Sequence, residues 1–104
     1  MNMIRVSATS RTAAVAGAIA GIVRESQWAE VQAIGAGAVN QAVKALILAT
    51  NYLRLDGIQV CFVPEFVDVT IDDKVRTAIK LKVEPAQASI ISEASVPDQA
   101  ELGG

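Results

Sequence analysis

Histidine is absent from this chain of 104 residues, and cysteine occurs once, at Cys61. Without imidazole the sequence lacks the commonest general base and the commonest metal ligand. A catalytic site would have to be built from carboxylates, lysines, Tyr52 or hydroxyls. One cysteine allows no disulfide within the chain, which fits a reducing compartment. Lying between Val60 and Phe62 with no histidine to activate it, Cys61 reads as a buried, inert thiol. Aromatics make up only 4% of residues, so the core must be closely packed Val, Ile, Leu and Ala. Long hydrophobic runs are missing too. The apolar stretch 12–23 is too short to span a bilayer, has no leucine, and ends in Arg24-Glu25 rather than at a small-residue cleavage site. These absences predict a cytoplasmic, non-enzymatic protein with no cofactor, no metal and no membrane association.

Cations are missing from the C-terminal part. None of the nine Lys and Arg residues lies beyond Lys82, whereas Glu93, Asp98 and Glu101 follow it and the chain ends in Gly-Gly. The sequence therefore predicts one folded domain over residues 1–85 and a disordered acidic C-terminal tail over 86–104. Within the domain nine cations face eight carboxylates, so it is nearly neutral while the tail is acidic. A net charge of -2 argues against coating DNA by bulk charge.

Apolar periodicity supplies the element order. Ile4 and Val6 alternate with Arg5 and Ser7, a half-buried first strand. A hydroxyl-rich loop follows, with Ser10 or Thr12 as the candidate N-cap of a helix. Val15, Ile19, Ile22 and Val23 form the apolar stripe of that helix. Gly17 and Gly21 share one of its sides and predict a close contact there, because each costs about 1 kcal/mol against alanine in a helix interior. Residues 29–34 make a second strand, parallel to the first. A second helix over 38–53 presents Val39, Val43, Leu46 and Leu53 on one face and Ile47, Leu48 and Tyr52 on another. Apolar on two sides, it predicts a homodimer or higher oligomer through helix 38–53. A third strand over 58–63, stopped by Pro64, precedes an exposed hairpin arm with Asp73 and Lys74 near its tip. The fourth strand returns over 76–84, with Thr77, Ile79, Leu81 and Val83 on one face. The order is βαβαββ, an α/β (two-layer α+β) fold with a mixed four-stranded sheet and both helices on one face.

Two features could carry function. Gly35-Ala36-Gly37 joins the second strand to the second helix, with Asn40 on the first helical turn. Amides converging there beside a positive helix end suit an anion. The stretch is only part of a dinucleotide fingerprint, since Asn40 stands where the third glycine belongs. An anion-contact turn at Gly35, Gly37 and Asn40 and a plain tight turn that lets the helix pack both remain open. The second feature is basic. Arg76, Lys80 and Lys82 share one strand face, Lys74 lies near the arm tip, and Arg11 and Lys44 flank the helix starts. Such a stripe is either a solvated face or a phosphate-contacting surface. The carboxylates show no spacing that argues for hydrolysis or metal binding.

Residues 4–8, 15–21, 31–45 and 76–85 closely resemble the bacterial stage V sporulation protein S family, the long block around Gly35 most of all. That family is more distantly similar to Alba, a small dimeric chromatin and RNA-binding protein, here through Ala38, Val39, Ala42 and Val43. The resemblance implies an Alba-like fold, a homodimer and a nucleic-acid partner, DNA or RNA, with a regulatory role in sporulation or development. Alba contacts nucleic acid through the loop after the first strand, the start of the second helix, and the strand three to four hairpin. Arg11 falls in the first region and Lys74 and Arg76 in the third. Gly37 and Gln41 stand where Alba tends to carry arginine, and Ala8, Thr9 and Ser10 stand near its paired loop lysines. These departures argue against tight DNA coating and favour weaker or more selective binding. The alternative is a protein-binding regulatory or scaffold module that has kept the fold and lost the nucleic acid.

Overall fold

A computed structural model describes residues 2–86. The acidic tail expected over 86–104 lies, but for Ala86, outside the described residues. The elements are β1 (Met3–Val6), α1 (Thr12–Ser26), β2 (Ala29–Ala33), α2 (Ala36–Leu55), β3 (Val60–Ile71) and β4 (Lys74–Pro85). The sheet runs β1-β2-β4-β3, with β1 parallel to β2 and the other neighbours antiparallel. This is the expected α+β order with a mixed four-stranded sheet.

One core joins the two layers. From α1 come Ala16, Ile19, Ala20 and Val23; from α2 come Ala38, Ala42, Ala45, Leu46, Ala49 and Leu53. They meet Val6, Ala29, Val31, Ala33, Leu81 and Val83 of the sheet. Alanine dominates the buried helix positions, so the helix backbones approach each other and the sheet closely. Residues paired in register share a sheet face. Ala29, Val31 and Ala33 lie opposite Val83, Leu81 and Ile79, placing the helix-facing side of β4 at odd positions. Glu30 and Gln32 lie opposite Lys82 and Lys80 on the other, open face. Two contacts clamp the bottom of the helical layer: Gln27 closes α1 in the left-handed region, and Arg24 Nε meets Asp56 Oδ2 at 2.6 Å beyond the end of α2.

Several local expectations are corrected. Pro64 does not stop the third strand; β3 runs through it for 12 residues. Among the described residues its one neighbour is β4, and an edge strand can turn a missing N–H away from the ladder. Strand β4 starts at Lys74, so the arm and the last strand are one hairpin, turned by Asp72 and Asp73 at φ 51° and 63°. Two successive positive φ values match the twist of a tight hairpin. Thr77 is exposed because β2 ends level with Ile79 and leaves the arm uncovered, whereas Ala78, on the opposite parity, is buried outside the main core. Cys61 is half-buried on that edge strand rather than sealed in the core. Neither Ser10 nor Thr12 caps α1. Arg11 holds the N-cap position without a side-chain bond, while Ser10 Oγ accepts from the Ser7 amide at 2.9 Å.

The glycines of α1 do not mark a close approach. A Cβ on Gly17 or Gly21 would meet nothing within 4 Å. Both therefore weaken the helix without visible return, and Gly17→Ala and Gly21→Ala are each expected to stabilise the fold by about 0.5–1 kcal/mol. Chemical denaturation read by circular dichroism checks this; a loss of stability would mean that this side of α1 is covered.

Candidate nucleic-acid interface

Parallel pairing of β1 and β2 puts their C-terminal ends side by side, so α1 and α2 both start at one end of the sheet. The β3–β4 arm projects beyond the same end, because β2 reaches only to Ile79. This end of the molecule carries the loop with Arg11, the turn of Gly35 to Asn40, and the arm with Lys74 and Arg76. Neither helix has an acidic residue in its first turn, so the positive ends of both helix dipoles stay uncompensated there.

The two loops interlock. A Cβ on Gly37 would come within 3.0 Å of the Ala8 Cβ, so the first turn of α2 rests directly on the loop after β1. Gln41 Nε2 donates to the Ser10 carbonyl at 2.8 Å from the other side of the same loop. The loop is also internally braced, Ser7 Oγ lying 3.2 Å from both Thr9 Oγ1 and Ser10 Oγ. Gln41 thus ties the loop down from the second turn of α2. Gly35 plays a different part. It holds the N-cap of α2 at φ 89° and ψ 157°, a region open essentially to glycine alone. The close approach at Gly37 and the backbone at Gly35 together account for the Gly-Ala-Gly stretch as a packing turn. The amides of the first helical turn precede the first helical bond, Val39 N–H to the Gly35 carbonyl, and Asn40 is exposed beside them.

The remaining cations fall into separate places. Lys80 and Lys82 project from the open face of the sheet, away from the helices. Lys80 Nζ lies 2.9 Å from Glu65 Oε1. The hydrogen bond that Lys80 donates to Glu65 raises the Lys80 pKa above its ordinary 10.5, with partial desolvation opposing and the charges of Glu65 and Glu30 adding. The pair's contribution is therefore present throughout the neutral range and is lost only as pH rises through that raised value. Lys82 Nζ sits 5.7 Å from the centre of the Trp28 ring and 3.6 Å from Glu84 Oε2. Lys44 is exposed on α2, on the helical layer, and so does not share a surface with Lys80 and Lys82. Among the described residues Arg11, Lys44, Lys74 and Arg76 form no ion pair.

Two residues that the sequence reading passed over belong to the open face. Arg5 pairs in register with Gln32, which in turn pairs with Lys80. Trp28 continues the alternation of Glu30 and Gln32 and is 41% exposed. The period-two pattern of β1 already pointed Arg5 outward; Trp28 looked like helix-terminal sequence. Gln32 Nε2 donates to Glu30 Oε2 at 2.8 Å, and its buried Oε1 has no partner among the described residues. No three His, Cys, Asp or Glu side chains among the described residues gather closely enough to hold a metal, and no described helix is long and apolar enough to cross a membrane.

The backbone at Gly35 generates a direct prediction. Gly35→Ala is expected to destabilise the fold by about 1–3 kcal/mol through φ strain alone, since a Cβ there meets no atom. Thermal and urea unfolding measure it, and an unchanged midpoint would show that the turn relaxes freely.

The family model described as Stage V sporulation protein S matches residues 2–86, the whole of the described fold. The chain belongs to the Stage V sporulation protein S family.

Proposed function

We propose that this protein is a cytoplasmic, non-enzymatic nucleic-acid-binding protein that works as a homodimer, with a regulatory role in sporulation or development. Family membership supports the sporulation-related role. The observation that carries the nucleic-acid reading is a coincidence of place. Two helix N-termini without acidic neighbours, the exposed Arg11, and an arm bearing Lys74 and Arg76 all occupy one end of the sheet. Amides at helix starts and unpaired cations are the usual phosphate contacts, and an arm that outreaches the sheet can follow a groove. Arg11 and the turn of Gly35, Gly37 and Asn40 would meet one stretch of backbone, and Lys74 and Arg76 the next. Lys80 and Lys82 would extend the basic surface along β4. Lys44 would contribute from the helical side.

The homodimer has its own support. Val43 and Ile47 lie a turn apart on α2, the latter 55% exposed, on the flank away from the side where Gly37 and Gln41 meet the loop after β1. On the helix side of β3, Phe62, Pro64 and Phe66 stand opposite Val83, Leu81 and Ile79. No helix among the described residues covers them: Phe66 is 77% exposed, and a groove of about 300 Å³ opens beside Pro64, Phe66 and Ile79. A second copy seated on α2 would shield such apolar surface.

Binding to labelled single- and double-stranded DNA and RNA, followed by anisotropy at low and moderate salt, tests the central reading. Affinity is expected to fall steeply with salt, and Arg76→Glu with Lys80→Glu to weaken it at least about ten-fold while lowering the salt slope by about one per lost phosphate contact. Absence of binding at low salt by a folded protein would instead support the protein-binding alternative. Light scattering at micromolar concentration is expected to give a dimer or larger species, and Val43→Glu with Ile47→Glu a folded monomer. A monomeric wild type would contradict the oligomer.

A further inference from the structure

The open face of the sheet carries a feature that the end-on surface does not need. Trp28 is the chain's single tryptophan, and it stands on the sheet face rather than in the core. One neighbour, Asn2, holds the backbone beside it: Asn2 Nδ2 donates to the Trp28 carbonyl at 3.0 Å, and the next amide but one, Glu30 N–H, donates to the Asn2 carbonyl at 2.7 Å. The indole is a large ring, 41% exposed, next to a hydrogen-bonded strand end. Lys82 places its ammonium over that ring, and Lys80 and Arg5 continue the row of cations across the sheet on either side of Gln32. Aromatic surface flanked by cations is the arrangement that receives unpaired bases, each base stacking on the ring while the backbone follows the charges. A duplex offers such a ring less, because its bases are already stacked on one another and only its phosphates can reach the cations.

From this juxtaposition we propose that the open face is a single-strand platform: Trp28 stacks on an unpaired base, and Lys82, Lys80 and Arg5 contact the flanking phosphates. This rests on the nucleic-acid reading above and adds to it a class of ligand, single-stranded DNA or RNA, and a second surface distinct from the arm end. Glu30, Glu65 and Glu84 share the face and hold two of these cations in ion pairs or close to them. A phosphate must compete with them and draw Lys82 aside from the ring that the base covers, so binding is expected to be weak and selective for strands that also offer a stacking base.

The lone tryptophan reports directly on the proposal. The full chain is titrated at low salt with oligo(dT) and oligo(U) of about 12 nucleotides and with a duplex of the same length, reading both anisotropy and indole emission. Saturable quenching by the single strands and little change with duplex are expected. Trp28→Ala should weaken single-strand binding about ten-fold and leave duplex binding unchanged, while Trp28→Phe should keep most of the affinity. Single-strand binding with unaltered emission and an unaffected Trp28→Ala would overturn the platform while leaving nucleic-acid binding at the arm end intact. Equal loss for duplex and single strand in both variants would make Trp28 a structural residue and overturn it as well. If neither strand nor duplex binds, the platform and the nucleic-acid reading fall together.

Discussion

Close contact between two alanine-rich helices is the constraint on which the rest of this structure depends. Alanine occupies Ala16 and Ala20 of α1 and Ala38, Ala42, Ala45 and Ala49 of α2 among the buried positions, with Ile19, Val23, Leu46 and Leu53 filling the spaces between. Small side chains allow backbones to come near, and close packing then supplies the dispersion contacts that a core poor in aromatics lacks. The consequence is felt at the helix starts. There the first turn of α2 sits on Ala8 with no room to spare at Gly37, and Gln41 reaches across to the Ser10 carbonyl. A larger residue in either helix would separate the two loops as well as loosen the core.

That packing sets the functional geometry. Because α1 and α2 follow parallel strands, their positive ends emerge together, and the long β3–β4 hairpin rises beside them. The sheet meanwhile keeps two unlike faces. One is covered by helices over β1, β2 and the Leu81–Val83 part of β4 and leaves Phe62 and Phe66 outside that cover; the other interleaves Arg5, Lys80 and Lys82 with carboxylates around Trp28. A nearly neutral domain can thus offer three different surfaces, one basic at the end, one apolar at the edge, and one mixed on the open face.

Much of this could be read in the chain. Alternation in Ile4-Arg5-Val6 and in Ile79 to Val83, the stripe through Ile19 and Val23, and the block around Gly35 carry enough period and turn chemistry to define the element order. What escaped depended on tertiary position. Pro64 reads as a strand end until β3 proves to be an edge, where a missing N–H costs no ladder bond. Gly17 and Gly21 look like contact points because spacing cannot reveal that nothing packs against them. Ser10 has N-cap chemistry, but its hydroxyl is engaged by the Ser7 amide within the loop. For the candidate site, the cations of the loop and arm were visible in sequence, yet their division among the sheet end, the open face and α2 required the register. Trp28 was hidden because only the pairing of Glu30 with Lys82 shows which way the preceding residues face.

The central claim is that nucleic acid meets the end of the sheet where the two helix starts and the arm come together. Amide chemical-shift mapping on isotope-labelled protein, titrated with a short oligonucleotide at low salt, tests it most directly. The account predicts that the largest shifts cluster at Arg11, at Gly35 to Asn40, and at Lys74 to Arg76, and shrink together as salt is raised. Shifts confined to the opposite end, around Gln27, Asp56 and Gly57, or no shifts in a folded protein, would contradict it.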